Sequence, residues 1–205
     1  ESGRQIYAFT LWRDRFPDAQ NCLINSASFS PNGLFLVTSS NKIGTDVWDL
    51  DQGQRVDHER IADGFAIPWP SAPQLLTYSR FGREVSMRDP MDGLPFRDFV
   101  QPGSFLDQAL ISPDGQYIAT STKSNLSEIF VWDATTGKPL MTCRGNQSAV
   151  NGFCFSPGSD LLATASSDNS IRLWKLESGE QRSLYPIRPR REQPIAVASP
   201  DGQRL

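Results

Sequence analysis

The sequence has few of the residues that build catalytic and metal centres. It contains one histidine, His58, and three cysteines in 205 residues. The cysteines Cys22, Cys143 and Cys154 form no C-x-x-C pair, so the usual ligand spacing of a zinc site is missing. We expect them to be small buried or half-buried thiols in a reducing compartment. A Ser-His-Asp site would have to use His58, and we expect no catalytic residue, no metal and no cofactor.

Long apolar runs and an excess of one charge are also missing. No apolar run approaches the roughly 18 residues that a membrane-spanning helix needs, so we expect no membrane partner. Twenty basic and 23 acidic side chains give a net charge of -3, which does not favour a general nucleic-acid binder. We therefore expect a cytoplasmic chain, although a signal peptide upstream of Glu1 would not be visible.

What the sequence does contain is a repeated turn. Four-residue segments of the type "SPDG" begin at Ser30, Ser112, Ser156 and Ser199. A second signal of the type "VWDLDQG" accompanies them, and its four copies end at Gly53, Gly93, Gly137 and Gly179. These glycines are 40, 44 and 42 residues apart, which indicates an internal repeat.

One repeat is hidden because it lacks both the turn glycine and a tryptophan. A shift of 40 residues aligns "FSPNGLFLVTS" with "WPSAPQLLTYS", and "VWDLDQG" with "MRDPMDG", without a gap. This register predicts that residues 61–93 form a complete unit. It places Leu75, Leu76, Val85 and Met87 at strand or core-facing positions.

Each repeat has the pattern of four short strands separated by Pro-Gly, Ser-Asp-Asn or Ser-Gly turns. Four antiparallel strands in about 42 residues are typical of a propeller blade, and helical periodicity is absent. We predict an all-β chain whose third strands end near Leu50, Pro90, Ala134 and Leu176. Residues 1–205 are expected to be one incomplete propeller, with repeats at about 4–53, 54–93, 94–137 and 138–179 and a truncated repeat at 180–205.

The "WD" pairs at Trp48 and Trp132, the "LW" at Trp174 and the "FSP-G" turns make the chain resemble the WD-repeat family of β-propellers. Closed propellers of this family usually have six to eight blades, so the resemblance implies that remaining blades lie outside this chain. The resemblance also implies a structural side-chain network in the fourth repeat. Its members are Asp168, Thr164 or Ser166, and Trp174.

In the other three repeats this network is expected to be incomplete. The family's histidine falls on Asn146 in the fourth repeat, and Lys42, Gly82 and roughly Leu126 occupy the place of the aspartate elsewhere. We therefore expect three of the four blades to be held together by apolar packing. The acidic segments "DLDQG" and "DPMDG" superficially suggest calcium, but at a strand-to-strand turn they favour ordinary turn chemistry.

Two loops depart from the repeat and are candidate partner-binding sites. The segment 10–21 contains Trp12, Arg13, Arg15 and Phe16, which have the composition of interface anchors. The segment 185–194 contains three arginines that could meet an acidic or phosphorylated partner. These arginines are Arg188, Arg190 and Arg191.

The resemblance implies a non-catalytic scaffold that binds other proteins or peptides through loops fixed by rigid blades. One alternative is a regulatory or sensor propeller domain fused to an enzyme, such as a kinase or protease, outside this chain. A second is a propeller enzyme. That reading finds little support, because the inner strands offer mostly Ser26, Ser28, Asn151 and Cys154 and no pair of acids.

Overall fold

In a computed structural model, the chain forms four antiparallel sheets of four strands each. The structure describes residues 24–30, 32–40, 44–56, 64–70, 74–79, 82–90, 93–100, 105–122 and 128–186. The predicted all-β fold of propeller-type blades is confirmed. Within the described part of the chain, no helix is long and apolar enough to cross a membrane.

The sheets follow one another along the chain, and we number them as blades 1 to 4. Blade 1 contains β1 (Ile24–Phe29), β2 (Phe35–Ser40), β3 (Gly44–Asp49) and β4 (Gln54–Arg55). Blade 2 contains β5 (Phe65–Pro68), β6 (Leu75–Tyr78), β7 (Glu84–Arg88) and β8 (Pro95–Val100). Blade 3 contains β9 (Leu106–Ile111), β10 (Tyr117–Thr122), β11 (Ile129–Asp133) and β12 (Pro139–Cys143). Blade 4 contains β13 (Val150–Phe155), β14 (Leu161–Ser166), β15 (Ser170–Lys175) and β16 (Gln181–Pro186).

Strands that are adjacent in sequence are also adjacent in each blade, so the chain runs up and down from an inner to an outer strand. The third strands end at Asp49, Arg88, Asp133 and Lys175, within two residues of the predicted ends. The outer strand of blade 4 is longer than expected. It continues through Tyr185 and Pro186, which we had placed in a loop.

The hidden repeat forms a complete blade, as the 40-residue register predicts. All four of its marked residues, Leu75, Leu76, Val85 and Met87, are buried. The register therefore preserved the alternation of side chains across the sheet even though the turn glycine and the tryptophan were lost.

The serine of each repeated turn closes the connection between the first and second strands. In blade 3, Ser112 Oγ donates to Asp114 Oδ1 at 2.6 Å and accepts the backbone N–H of Tyr117 at 2.9 Å. The fourth turn residue has a positive φ, which glycine adopts without cost. Gly115 occupies this position in blade 3, whereas in blade 4 it is Ser159, with a φ of 57°.

Neighbouring blades share apolar cores rather than each having its own. One core joins blades 2 and 3 and includes Met87, Phe99, Ile118 and Trp132. Another joins blades 3 and 4 around Val131, Phe153 and Trp174, and a smaller one joins Val37 and Val47 of blade 1 to Ala66 and Leu75 of blade 2. Each blade therefore contributes a front face, turned to the preceding blade, and a rear face, turned to the following blade.

Candidate interaction surface

The two ends of the blades differ in their connections. The serine turns and the "D-x-x-x-G" turns lie together at what we call the turn end. The outer-to-inner connections and the turns between second and third strands lie at the opposite, loop end. The alternation of direction from strand to strand in each antiparallel blade produces this segregation.

Local hydrogen bonds saturate the acidic residues of the turn end. Asp133 Oδ1 accepts the backbone N–H groups of Thr135 and Thr136 at 2.8 and 2.7 Å. The hydrogen bond from the Thr136 backbone is the main cause that lowers the pKa of Asp133. Asp49 makes the same turn in blade 1. These carboxylates act as turn acceptors, and no group of three or more acidic, cysteine or histidine side chains is placed to hold a metal among the described residues.

A buried donor–threonine bond recurs in all four blades. The indole N–H groups of Trp48, Trp132 and Trp174 donate to threonines on the second strands, at 3.0, 3.0 and 3.1 Å. The accepting threonines are Thr38, Thr120 and Thr164.

Blade 2 makes the same bond without a tryptophan. Arg88 occupies the equivalent position on the third strand, and its Nε donates to Thr77 Oγ1 at 3.2 Å. A second guanidinium nitrogen of Arg88 donates to the carbonyl of Gly93 at 2.9 Å. The expectation that three blades are held by apolar packing alone is therefore wrong, because each keeps a buried polar bond between its two central strands.

Blade 4 adds a buried ion pair beside this bond. Arg172 lies two residues before Trp174 on the same strand face, and its guanidinium is 2.8 Å from Asp168 Oδ2. The side chains of Arg172 and Asp168 are 8% and 10% exposed. The same guanidinium donates to Asn146 Oδ1 at 3.1 Å and to Ser170 Oγ.

Sequence reasoning missed Arg172. The aspartate of the family's network lies beside Asn146, which replaces the histidine, and Arg172 joins the two. The available signal was an arginine inside a strand of otherwise buried residues, where the equivalent residue of blade 3 is Phe130. Ser166, the other candidate hydroxyl, donates to the carbonyl of Ser148 instead of joining the tryptophan.

The charged form of Asp168 is favoured despite its partial burial. Burial raises the pKa of this carboxyl, but hydrogen bonds from Ser170, the backbone of Gln147 and Arg172, together with the Arg172 charge, lower it by more. The net effect is a lowered pKa for Asp168. Since Gln147 belongs to the connection before the inner strand, the carboxylate fixes the loop end of blade 4.

The exposed side chains of the loop end have the composition of a recognition surface. The Arg83 guanidinium lies 5.9 Å from the ring centre of Phe105, a half-exposed side chain that precedes the inner strand of blade 3. The backbone N–H of Leu106 donates to the carbonyl of Gly82 at 3.1 Å, so blades 2 and 3 are joined beneath this pair. An arginine stacked on an aromatic ring presents planar donors and apolar area at once.

The inner strands of blades 3 and 4 turn polar groups towards this end. Each has a β-bulge there, at Asp107 and Asn151. Asn151 Oδ1 accepts the hydroxyl of Ser167 at 3.0 Å, and its backbone carbonyl accepts Gln108 Nε2 at 3.4 Å. We define the loop-end surface by its exposed residues Arg83, Phe105, Gln147, Ser167 and Asn169.

The predicted loop residues lie outside the part of the chain that the structure describes. This holds for both candidate segments and for His58. The loop residues are Trp12, Arg13, Arg15, Phe16, Arg188, Arg190 and Arg191. Their role in binding a partner stays a prediction.

Four-stranded blades with donor–threonine bonds between their central strands, serine turns at one end and a recognition surface at the other define a WD-type propeller protein. Residues 15–43 and 137–175 match the family described as "WD domain, G-beta repeat". The chain belongs to this WD-repeat family.

Similar proteins carry the same repeats. Eukaryotic translation initiation factor 3 subunit I of Pyricularia oryzae is 38% identical over 104 residues, which cover 49% of this chain and 28% of that protein. The periodic tryptophan protein 2 homolog of Dictyostelium discoideum is 25% identical over 158 residues, which cover 75% of this chain and 17% of that protein. The chain thus spans less than a third of the length of these relatives.

A chain in a crystal structure of the mitotic checkpoint complex has the same fold. It superposes with a TM-score of 0.65 at 20% sequence identity, over 81% of this chain and 52% of that chain.

Proposed function

We propose that the chain is a non-catalytic scaffold that binds other proteins or peptides at the loop end of its blades. The observation that carries the proposal is the contrast between the two ends. At the turn end the polar groups of the described turns are used in hydrogen bonds within the turns, whereas the loop end presents a stacked arginine–aromatic pair and exposed amides. Surfaces of this composition bind partners through a few aromatic and arginine anchors.

The mechanism is presentation by a rigid frame. The buried bonds of each blade and the apolar cores between blades hold the strand ends in place, so the loops pay little conformational entropy when a partner binds. In blade 4, the ion pair of Asp168 and Arg172 holds the Gln147 connection directly. The predicted loops at 10–21 and 187–194 would extend the same surface with Trp12, Arg13 and Arg188.

The similar proteins support a protein partner. One is named as a subunit of a translation initiation factor, and a structural match comes from a multi-protein complex. Neither name is that of an enzyme. We also propose that the four repeats act as one domain, that the partner is neither nucleic acid nor membrane, that further blades lie outside this chain, and that the protein works in the cytoplasm.

The experiment compares matched pairs of substitutions at the two ends. Partners are captured from a lysate of the source organism by cross-linking, and the strongest is then titrated as a purified protein. Arg83→Ala with Phe105→Ala is expected to weaken binding at least tenfold. Lys138→Ala with Leu34→Ala removes one cation and one exposed apolar side chain at the turn end, and is expected to leave binding unchanged.

The opposite pattern would move the site to the turn end and refute the proposal. Arg13→Ala with Arg15→Ala tests the sequence-derived part of the surface separately. Loss of binding in that variant alone would place the contact on the 10–21 loop rather than on blades 2 and 3.

A further inference from the structure

The same interface joins blade 1 to 2, blade 2 to 3, and blade 3 to 4. In each case the front face of an inner strand packs on the rear face of the blade before it. The inner-strand residues Ala66, Ala109 and Phe153 are equivalent in the three receiving blades, and all are buried by this packing.

Blade 1 presents the same front face without cover on its inner strand. Its equivalent residues are Ala27 and Phe29, and both are exposed. Phe29 is 68% exposed, whereas Phe155, at the same position in blade 4, is 7% exposed. An apolar strand face that is buried three times in the molecule is thus open once.

The rear face of blade 4 is only partly covered. Val47 and Val131 are wholly buried at the centre of the rear faces of blades 1 and 3. The equivalent Leu173 of blade 4 is half-buried, as is its neighbour Ile171, although Ile129 at the latter position in blade 3 is wholly buried.

We propose that the front face of blade 1 binds the rear face of blade 4 of a second copy of this chain. The argument is continuity with the interfaces inside the molecule, because a second copy supplies the same kind of rear face that the other three front faces already cover. Such a contact joins two different patches, so it generates a closed ring when the rotation allows and an open chain of molecules otherwise. Its core would be the ring of Phe29 against the side chains of Ile171 and Leu173.

The test measures molar mass in solution by light scattering after gel filtration, across a hundredfold range of concentration. The wild-type chain of 22.8 kDa is expected to form a species of at least twice that mass. Phe29→Asp is expected to raise the dissociation constant at least tenfold, because a carboxylate would be buried without a partner. Phe96→Asp is the matched control, since Phe96 is also about half-exposed but lies on the outer strand of blade 2.

Mixing two variants tests the head-to-tail geometry. Phe29→Asp removes the front face and Leu173→Asp removes the rear face, so each variant alone is expected to be monomeric. An equimolar mixture retains one intact pair of faces and is expected to form a 1:1 dimer and nothing larger. Circular dichroism and the melting temperature of each monomer verify that the variants are folded, and Ile171→Asp replaces Leu173→Asp if the latter unfolds.

Three results would overturn the proposal. They are a wild-type chain that stays monomeric at every concentration, association that survives Phe29→Asp, and a mixture of the two variants that remains monomeric.

Discussion

The backbone N–H of Asp114 donates to the hydroxyl of Ser159 at 3.1 Å and so joins the serine turn of blade 3 to that of blade 4. Ser159 makes this bond from a left-handed backbone conformation, with a φ of 57°, at a position where blades 1 and 3 have glycine. The hydroxyl that bridges the blades is thus held at the cost of backbone strain.

We expect Ser159→Ala to destabilise the protein more than Ser159→Gly. Alanine keeps the strained backbone and leaves the Asp114 N–H unpaired, which together cost about 1–3 kcal/mol. Glycine also loses the bond but relieves the strain, so its net effect is within about 1 kcal/mol of the wild type. Urea denaturation of the three proteins measures the order, and an equal loss in both variants would show that the backbone strain is unimportant.

Trp174→Ala is expected to cost about 3–5 kcal/mol of unfolding free energy, because the indole fills the core between blades 3 and 4. Trp174→Phe keeps most of this volume and loses the bond to Thr164, so it is expected to cost about 1–2 kcal/mol. Trp12→Ala, in a predicted excursion loop, is expected to cost less than either. A melting-temperature loss in Trp12→Ala equal to that in Trp174→Ala would contradict this assignment.

The ion pair of blade 4 makes stability depend on pH. The pKa of Asp168 is lowered in the folded state, so its contribution is present above the unfolded-state pKa of about 3.9 and is lost as the pH falls through the folded-state pKa. Asp168→Asn is therefore expected to be less stable than the wild type at pH 7, with a difference that shrinks below about pH 4.

Chemical denaturation at a series of pH values between 7 and 3 measures this difference. Asp51→Asn, at an exposed turn position, is the control and is expected to show a small difference at every pH. A difference between Asp168→Asn and the wild type that does not change with pH would show that the ion pair contributes through packing and not through charge.

Cys143 is expected to be inert in the folded protein, because burial raises the pKa of its thiol to about 12. A variant that retains Cys143 alone, through Cys22→Ser and Cys154→Ser, should react with a disulfide reagent at pH 8 only after unfolding. The matched variant that retains Cys154, a half-buried thiol, should react faster. Equal rates in the two folded variants would disprove the protection of Cys143.

The sequence was sufficient to predict the blades because their periodicity is local. A repeat of about 40 residues, with strands that alternate between two faces, leaves one workable register, and blade 2 keeps that register without its marker residues. Boundaries were less certain at β16, where the two residues after Leu184 continue the pairing with β15.

The polar contacts were harder to predict because they depend on side-chain reach across strands. Arg88 stands where a tryptophan is expected, and nothing in the local pattern says that its Nε reaches Thr77. Arg172 likewise bonds Asn146, which is 26 residues away in sequence. The loops at 10–21 and 187–194 have no repeat to fix them, so their composition alone supports the predicted role.

The recurring bond between the central strands has a consequence for how such blades are recognised. The acceptor is a threonine in all four blades, whereas the donor is an indole in three and a guanidinium in the fourth. The feature common to the blades is therefore the hydroxyl at the middle of the second strand, and the tryptophan after which the family is named is one of at least two groups that can satisfy it. Patterns that require the tryptophan would overlook blades such as the second, which lies outside both segments that match the family description.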